Sequence, residues 1–167
     1  MSETLRRELE DITQTKKWED LPPSIRIIEY PQPPQWQFNC FAYALGLQKV
    51  PPFLIPYRDC FIYSPCVRKL ISKKELVRVI GAPKINDIVL YSDGSKLTHA
   101  GIIASERLIN SKWSNGPVLS HPLWEVPASY GSRVTYYQGM TSERAFQLCQ
   151  LYQEFNVDPD QSRQPST

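Results

Sequence analysis

The hydrophobic pattern changes grammar about halfway along the chain. In residues 2–19, Leu5, Leu9 and Ile12 recur at helical spacing behind Ser2, a good cap, and predict an N-terminal helix. Residues 20–35, DLPPSIRIIEYPQPPQ, carry five prolines and must be mainly extended. NCFAYALGL predicts a short helix capped by Asn39 and ended by Gly46. Residues 50–66 are rich in proline and aromatics and show no period. SKKELVRVI, residues 72–80, predicts a helix opened by a Ser72–Glu75 capping box and stopped by Gly81. From there the pattern shortens to strands at Asp87–Tyr91, Thr98–Ala104, Leu108–Lys112 and Val134–Gln138. Residues 141–155 predict a closing helix with Phe146, Cys149 and Leu151 inward.

This order predicts an α+β fold, with helices gathered on one side of a small antiparallel sheet. It divides the chain into an N-terminal helix (1–20), a main domain (21–155) and a polar tail (156–167) expected to be disordered.

Composition narrows the functions. The chain is 41% hydrophobic and 22% charged, an ordinary globular balance, with a net charge of +2 and no Lys/Arg stripe, so a nucleic-acid partner is not expected. No apolar run reaches the roughly 20 residues of a membrane helix, and the charged N-terminus lacks the apolar centre of a secretory signal. A cytoplasmic protein, with export only by a route that reads no such signal, is the expectation. Two histidines and four cysteines without a C-x-x-C pair argue against zinc, and no cofactor is expected. A Cys60–Cys66 disulfide across FIYSP is conceivable but unsupported, and Cys149 reads as a small buried hydrophobe.

Two residues carry candidate chemistry. Cys40 follows the cap of a short helix, where the dipole and free backbone N–H groups favour a thiolate and could later hold an oxyanion. Its pKa is therefore expected to be depressed. His99 opens a strand in T-H-A-G-I-I-A, with small Ala100 and Gly101 leaving room for a substrate chain. A buried structural cysteine and a satisfied structural histidine are the plainer readings of each alone. Together they match the division of labour in a thiol hydrolase, in which the base takes the thiol proton and returns it to the leaving group.

N-C-F-A-Y-A-L-G, N-D-I-V-L-Y and T-H-A-G-I-I-A together resemble the three signature segments of NlpC-type and CHAP-type hydrolases, members of the papain-like cysteine peptidase superfamily. The stretch S-K-W-S-N-G-P-V-L-S-H-P with V-P-x-x-Y-G is similar to a bacterial subset of these proteins with no assigned substrate. The resemblance covers about residues 36–138. It implies a papain-like fold and a thiol mechanism with Cys40 as nucleophile and His99 as base. It also implies a polar residue on the next strand to orient the imidazole. A turn at Ser105–Glu106 puts Asn110 on the His99 face, a one-residue shift puts Ser111 there, and His121, read as lying in a loop, is the third candidate.

Other residues have weaker claims. Asn39 stands where many NlpC-type enzymes carry an acid, and Gln37 lies too close to Cys40 for the papain oxyanion glutamine. Lys112 either points into the site or covers a sheet edge, and Asp87 ends a turn more naturally than it acts as an acid. Trp36, Phe38, Phe41, Tyr43, Trp113 and Trp124 could line a groove, although packing explains most of them.

The function expected is hydrolysis of an amide bond in a peptide-like or protein substrate, by a peptidase, amidase or deamidase. The alternatives are a toxin or effector domain of the same fold, with an immunity partner, and a binding module without turnover. Neither a nucleic acid nor a membrane is an expected partner.

Overall fold

The computed structural model describes residues 1–31, 37–50 and 60–161. The described residues form an α+β fold with four α-helices and one open, wholly antiparallel, six-stranded sheet. The strands are β1 (Arg26–Glu29), β2 (Ile88–Asp93), β3 (Lys96–Ile103), β4 (Ile109–Lys112), β5 (Val118–His121) and β6 (Arg133–Tyr137). Their order across the sheet is β1-β5-β4-β3-β2-β6. The helices are α1 (Glu3–Thr15), α2 (Cys40–Ala44), α3 (Ser64–Ser72) and α4 (Ser142–Leu151).

The run Ile88-Val89-Leu90-Tyr91 is buried throughout, because successive side chains point to opposite faces and both faces are covered. Ile88 and Leu90 join Ala100, Val118 and Tyr137 against α2, α3 and α4. Val89 and Tyr91 join Ile103, Ile109, Trp113 and Leu119 against Leu9 of α1. The helices are therefore not gathered on one side as the sequence suggested. Residues 5, 9 and 12 of α1 are an apolar stripe, and the second face of the sheet is where that stripe is buried.

Ser2 caps α1 and Asn39 caps α2 as expected, and Gly46 follows α2 at φ 74°. The helix expected at 72–80 is instead α3, ending at Ser72. Pro65 sits in its first turn, where its missing N–H costs nothing, and the Ser72 hydroxyl bonds back to the Lys69 carbonyl instead of opening a new helix. Lys74 then turns the chain at φ 58°. In the following L-V-R-V-I, Leu76 is buried and Val77 and Ile80 are exposed. This stretch runs beside β6, with Val79 N–H donating to the Tyr136 carbonyl and Gln138 N–H to that of Val77.

Strands β1 and β5 were not anticipated. In α4 the inward residues are Ala145 and Leu148; Phe146 and Cys149 are half-buried against the core, and Leu151 is 66% exposed, so it is not inward. The expected polar tail begins with an anchored residue: the Asn156 amide donates to the Phe61 carbonyl at 2.9 Å, and its oxygen accepts from Tyr63 N–H at 2.8 Å. Trp36, most of the 50–66 stretch and residues 162–167 lie outside the described residues.

Candidate active site

Cys40 is positioned by Asn39. The Asn39 side-chain oxygen accepts from Ala42 N–H at 3.0 Å and Ile62 N–H at 3.2 Å, while its amide donates to the Ile62 carbonyl at 2.7 Å. An acid at this position could not make the last bond, so the amide is what the local chain requires. The Cys60 N–H donates to the Gln37 carbonyl at 2.9 Å and secures the approach to the helix.

Strand β4 pairs with β3 only at Ile102↔Asn110 and Ile103↔Ile109, while its far end pairs with β5 as far as Lys112↔Val118. The two strands thus part before His99, and α2 contacts both. The backbone N–H groups of Ala100, Phe41 and Cys40 itself are near enough to the sulfur to favour its thiolate. The first of these belongs to the residue that follows His99. Burial outweighs the three donors and pushes the thiol up to about 12, so the expectation of a depressed pKa is overturned. The dipole of a five-residue helix does not offset the loss of water around a thiolate.

His99 is 1% exposed and pairs with Tyr91 across the sheet. Its ring stacks on Tyr130, with centroids 3.9 Å apart and planes 16° from parallel, and lies 5.4 Å from the Tyr91 ring. Its Nε2 is buried without a hydrogen-bond partner among the described residues. Burial, and then the nearby His121, hold its pKa well below the usual imidazole range. Tyr130 is close enough to Cys40 for a thiolate charge to raise its own pKa, behind the larger effect of burial. Gly101 leaves no room for a substrate: a Cβ there would stand 2.7 Å from Ile109 Cγ2 and 2.9 Å from the Asn110 carbonyl. The glycine permits β4 to approach closely.

The register decides among the candidate orienting residues. Ile102 faces Asn110, which places Asn110 with Ala100 and Ile102 on the α2 face, opposite to the side on which His99 points. The hairpin is one residue out of step with the expected turn, because Ala104 and Ser105 both bond to the Leu108 carbonyl and close a longer loop. Asn110 Oδ1 is buried and unpaired among the described residues, and it makes no bond to His99.

Ser111 shares the His99 face, but its hydroxyl is already engaged. Trp113 Nε1–H donates to it at 3.0 Å, and it lies 2.7 Å from His121 Nε2. His121 Nδ1 is 2.8 Å from the Pro122 carbonyl, which can only accept, so Nδ1 carries the proton and Nε2 accepts from Ser111. His121 is not in a loop; it closes β5, is fully buried, and titrates down at about 4 because of burial.

Lys112 belongs to the α2 face. Its ammonium donates to the Gly116 carbonyl and sits 5.2 Å from the Phe38 ring centroid, buried rather than covering an edge. Burial lowers its pKa while Glu29 opposes the shift. Asp87 accepts from Lys84 N–H at 2.7 Å and ends a turn. Phe38, Phe41, Tyr43 and Trp113 are core residues and Trp124 is half-buried. All four cysteines are free, and the Cys66 thiol meets that of Cys149 rather than Cys60.

Tyr130 was not singled out from sequence, although it lies in the quoted V-P-x-x-Y-G stretch. Arg6 was missed because a charged residue on an amphipathic helix normally faces water, whereas here it is 2% exposed. Among the described residues no group of three or more His, Cys, Asp or Glu could hold a metal, and no helix is long and apolar enough to cross a membrane. The family described as "Domain of unknown function (DUF7689)" matches residues 29–138. No curated protein and no solved structure matches the chain.

Proposed function

We propose that this chain, which belongs to the DUF7689 family, is a papain-like cysteine hydrolase acting on an amide bond, with Cys40 as nucleophile and His99 as base. The observation that carries this reading is the packing of α2, which opens with Cys40, against β3, the strand that holds His99. The N–H of Ala100, one peptide unit from His99, is near enough to the Cys40 sulfur to favour its thiolate. His99 has a ring nitrogen with no hydrogen-bond partner among the described residues. In the free protein the pair is held as neutral thiol and neutral imidazole. Proton transfer is then coupled to attack: His99 takes the thiol proton as sulfur bonds to the carbonyl carbon, and returns it to the leaving amine. The N–H groups of Phe41 and Ala100 are available to the oxygen that becomes negative.

A second reading, a binding module without turnover, is favoured by the same two pKa directions, since neither group is ionised for chemistry at neutral pH.

The test is an amide-mimicking electrophile followed by mass mapping. Modification at Cys40 ahead of Cys60, Cys66 and Cys149, slowed at least about tenfold in His99→Ala, is the expected result. Equal rates in His99→Ala and the parent would exclude His99 as the base and favour the binding module.

A further inference from the structure

The segment 126–131 is tied down from both ends by α1, which lies outside the matched family segment. Arg6 Nε donates to the Val126 carbonyl at 3.2 Å, and Nη2 donates to the carbonyls of Pro127, at 3.2 Å, and Gly131. Three buried carbonyls converge on one guanidinium, which its five donors in a fixed fork allow. Four residues on along the same helix, the Glu10 carboxylate accepts from Ser129 N–H at 2.9 Å and from the Ser129 hydroxyl at 3.0 Å. Gly131 stands at φ 91°, and a Cβ there would collide with the Ser92 carbonyl, so the segment has one workable path.

Between these anchors sits Tyr130. Its hydroxyl lies near the Ser114 N–H, its carbonyl takes the Thr98 hydroxyl, and its ring lies flat on His99. Trp113 meets the ring edge-on at 6.0 Å. His99 Nε2 has no hydrogen-bond partner among the described residues, so at that nitrogen the stacked Tyr130 ring is what holds the imidazole plane.

We propose that Tyr130 is a positioning residue that fixes the plane of the His99 imidazole, and that α1 holds it there through Arg6 and Glu10. The inference rests on His99 being the base. It makes the N-terminal helix part of the active site, acting through the 126–131 segment without touching Cys40 or His99 itself.

The experiment is NMR of the full chain with ring-labelled histidine. With two histidines in the sequence, a His121→Gln variant assigns both imidazoles. Stacking shifts the His99 ring protons upfield in the parent. Tyr130→Phe should keep that shift and Tyr130→Ala should lose it. Glu10→Ala, a half-buried and low-risk change, and Arg6→Met should weaken it progressively. The rate of Cys40 modification by the electrophile should fall in the same order, by about fivefold or more in Arg6→Met and Tyr130→Ala. Arg6→Lys should recover part of both readouts. An unchanged His99 shift in both Arg6→Met and Glu10→Ala overturns the role of α1, and a parent-like Cys40 rate in Tyr130→Ala overturns the positioning role. An inert Cys40 in the parent, with the ring shift still lost in Arg6→Met, refutes the hydrolase reading and with it the positioning of a base, while the clasp itself is verified. The two failures are therefore told apart.

Discussion

The two histidines of the sheet are buried in different ways. On the α1 face, Trp113, Ser111, His121 and the Pro122 carbonyl form a closed chain in which each donor has an acceptor. Such a chain stabilises and specifies the core, and leaves no lone pair of His121 for a reaction. Farther along the same face His99 Nε2 is left without a partner among the described residues, and toward α2 so is Asn110 Oδ1. Burying a polar atom unpaired costs about 1–3 kcal/mol. The contrast teaches which histidine to suspect. His121 is complete without a substrate and His99 is not.

The comparison breaks first on activity. Cys40→Ala should abolish turnover with unfolding by urea little changed, and His99→Ala should lower turnover by about a thousand-fold or more. A His121→Ala variant with an equal loss of turnover at unchanged stability would reverse the roles assigned to the two histidines.

Next comes stability. His121→Ala leaves the Ser111 hydroxyl without its acceptor and opens a cavity, for an expected cost of about 2–4 kcal/mol in urea titrations. The pH dependence sharpens this. His121 goes from an unfolded value of 6.5 to about 4 in the fold, so the unfolded chain binds the extra proton between those values. Stability from this group is complete above pH 6.5 and is lost as pH falls toward 4, to a total of about 3 kcal/mol. His121→Gln should flatten the curve in that window relative to the parent; parallel curves would show that folding leaves the His121 pKa unshifted.

The smallest effect belongs to Asn110. Facing α2 and unbonded to His99, it should alter the Cys40 modification rate by less than about threefold when changed to Ala. A loss of tenfold would reinstate it as the orienting residue and call the β3–β4 register into question.

The sequence carried the elements on either side of the chemistry. Asn39 and Gly46 bracket α2 because capping and positive φ are local demands, and β2 to β4 announce themselves by β-branched runs between turn residues. Register was beyond reach, since the loop after Ile103 closes on Leu108 by backbone bonds that no side chain signals. β1 and β5 are four residues each, one embedded among prolines and the other ending against Pro122, and β1 has only β5 to pair with in the sheet. The burial of Arg6 depends on carbonyls about 120 residues away, which no local pattern encodes.

The sheet order also sets a schedule for folding. β2 to β5 form a meander of near neighbours that can close early, whereas β1 must return from the far N-terminus to cover β5. Until it does, Val118–His121 presents a bare strand edge, with an apolar residue on each face, of the kind that recruits other chains. A fragment trimmed to residues 29–138 would forfeit nearly all of β1 along with α1, and would keep that edge open for good. Self-association of such a fragment would follow from strand order alone, whatever became of the residues around Cys40.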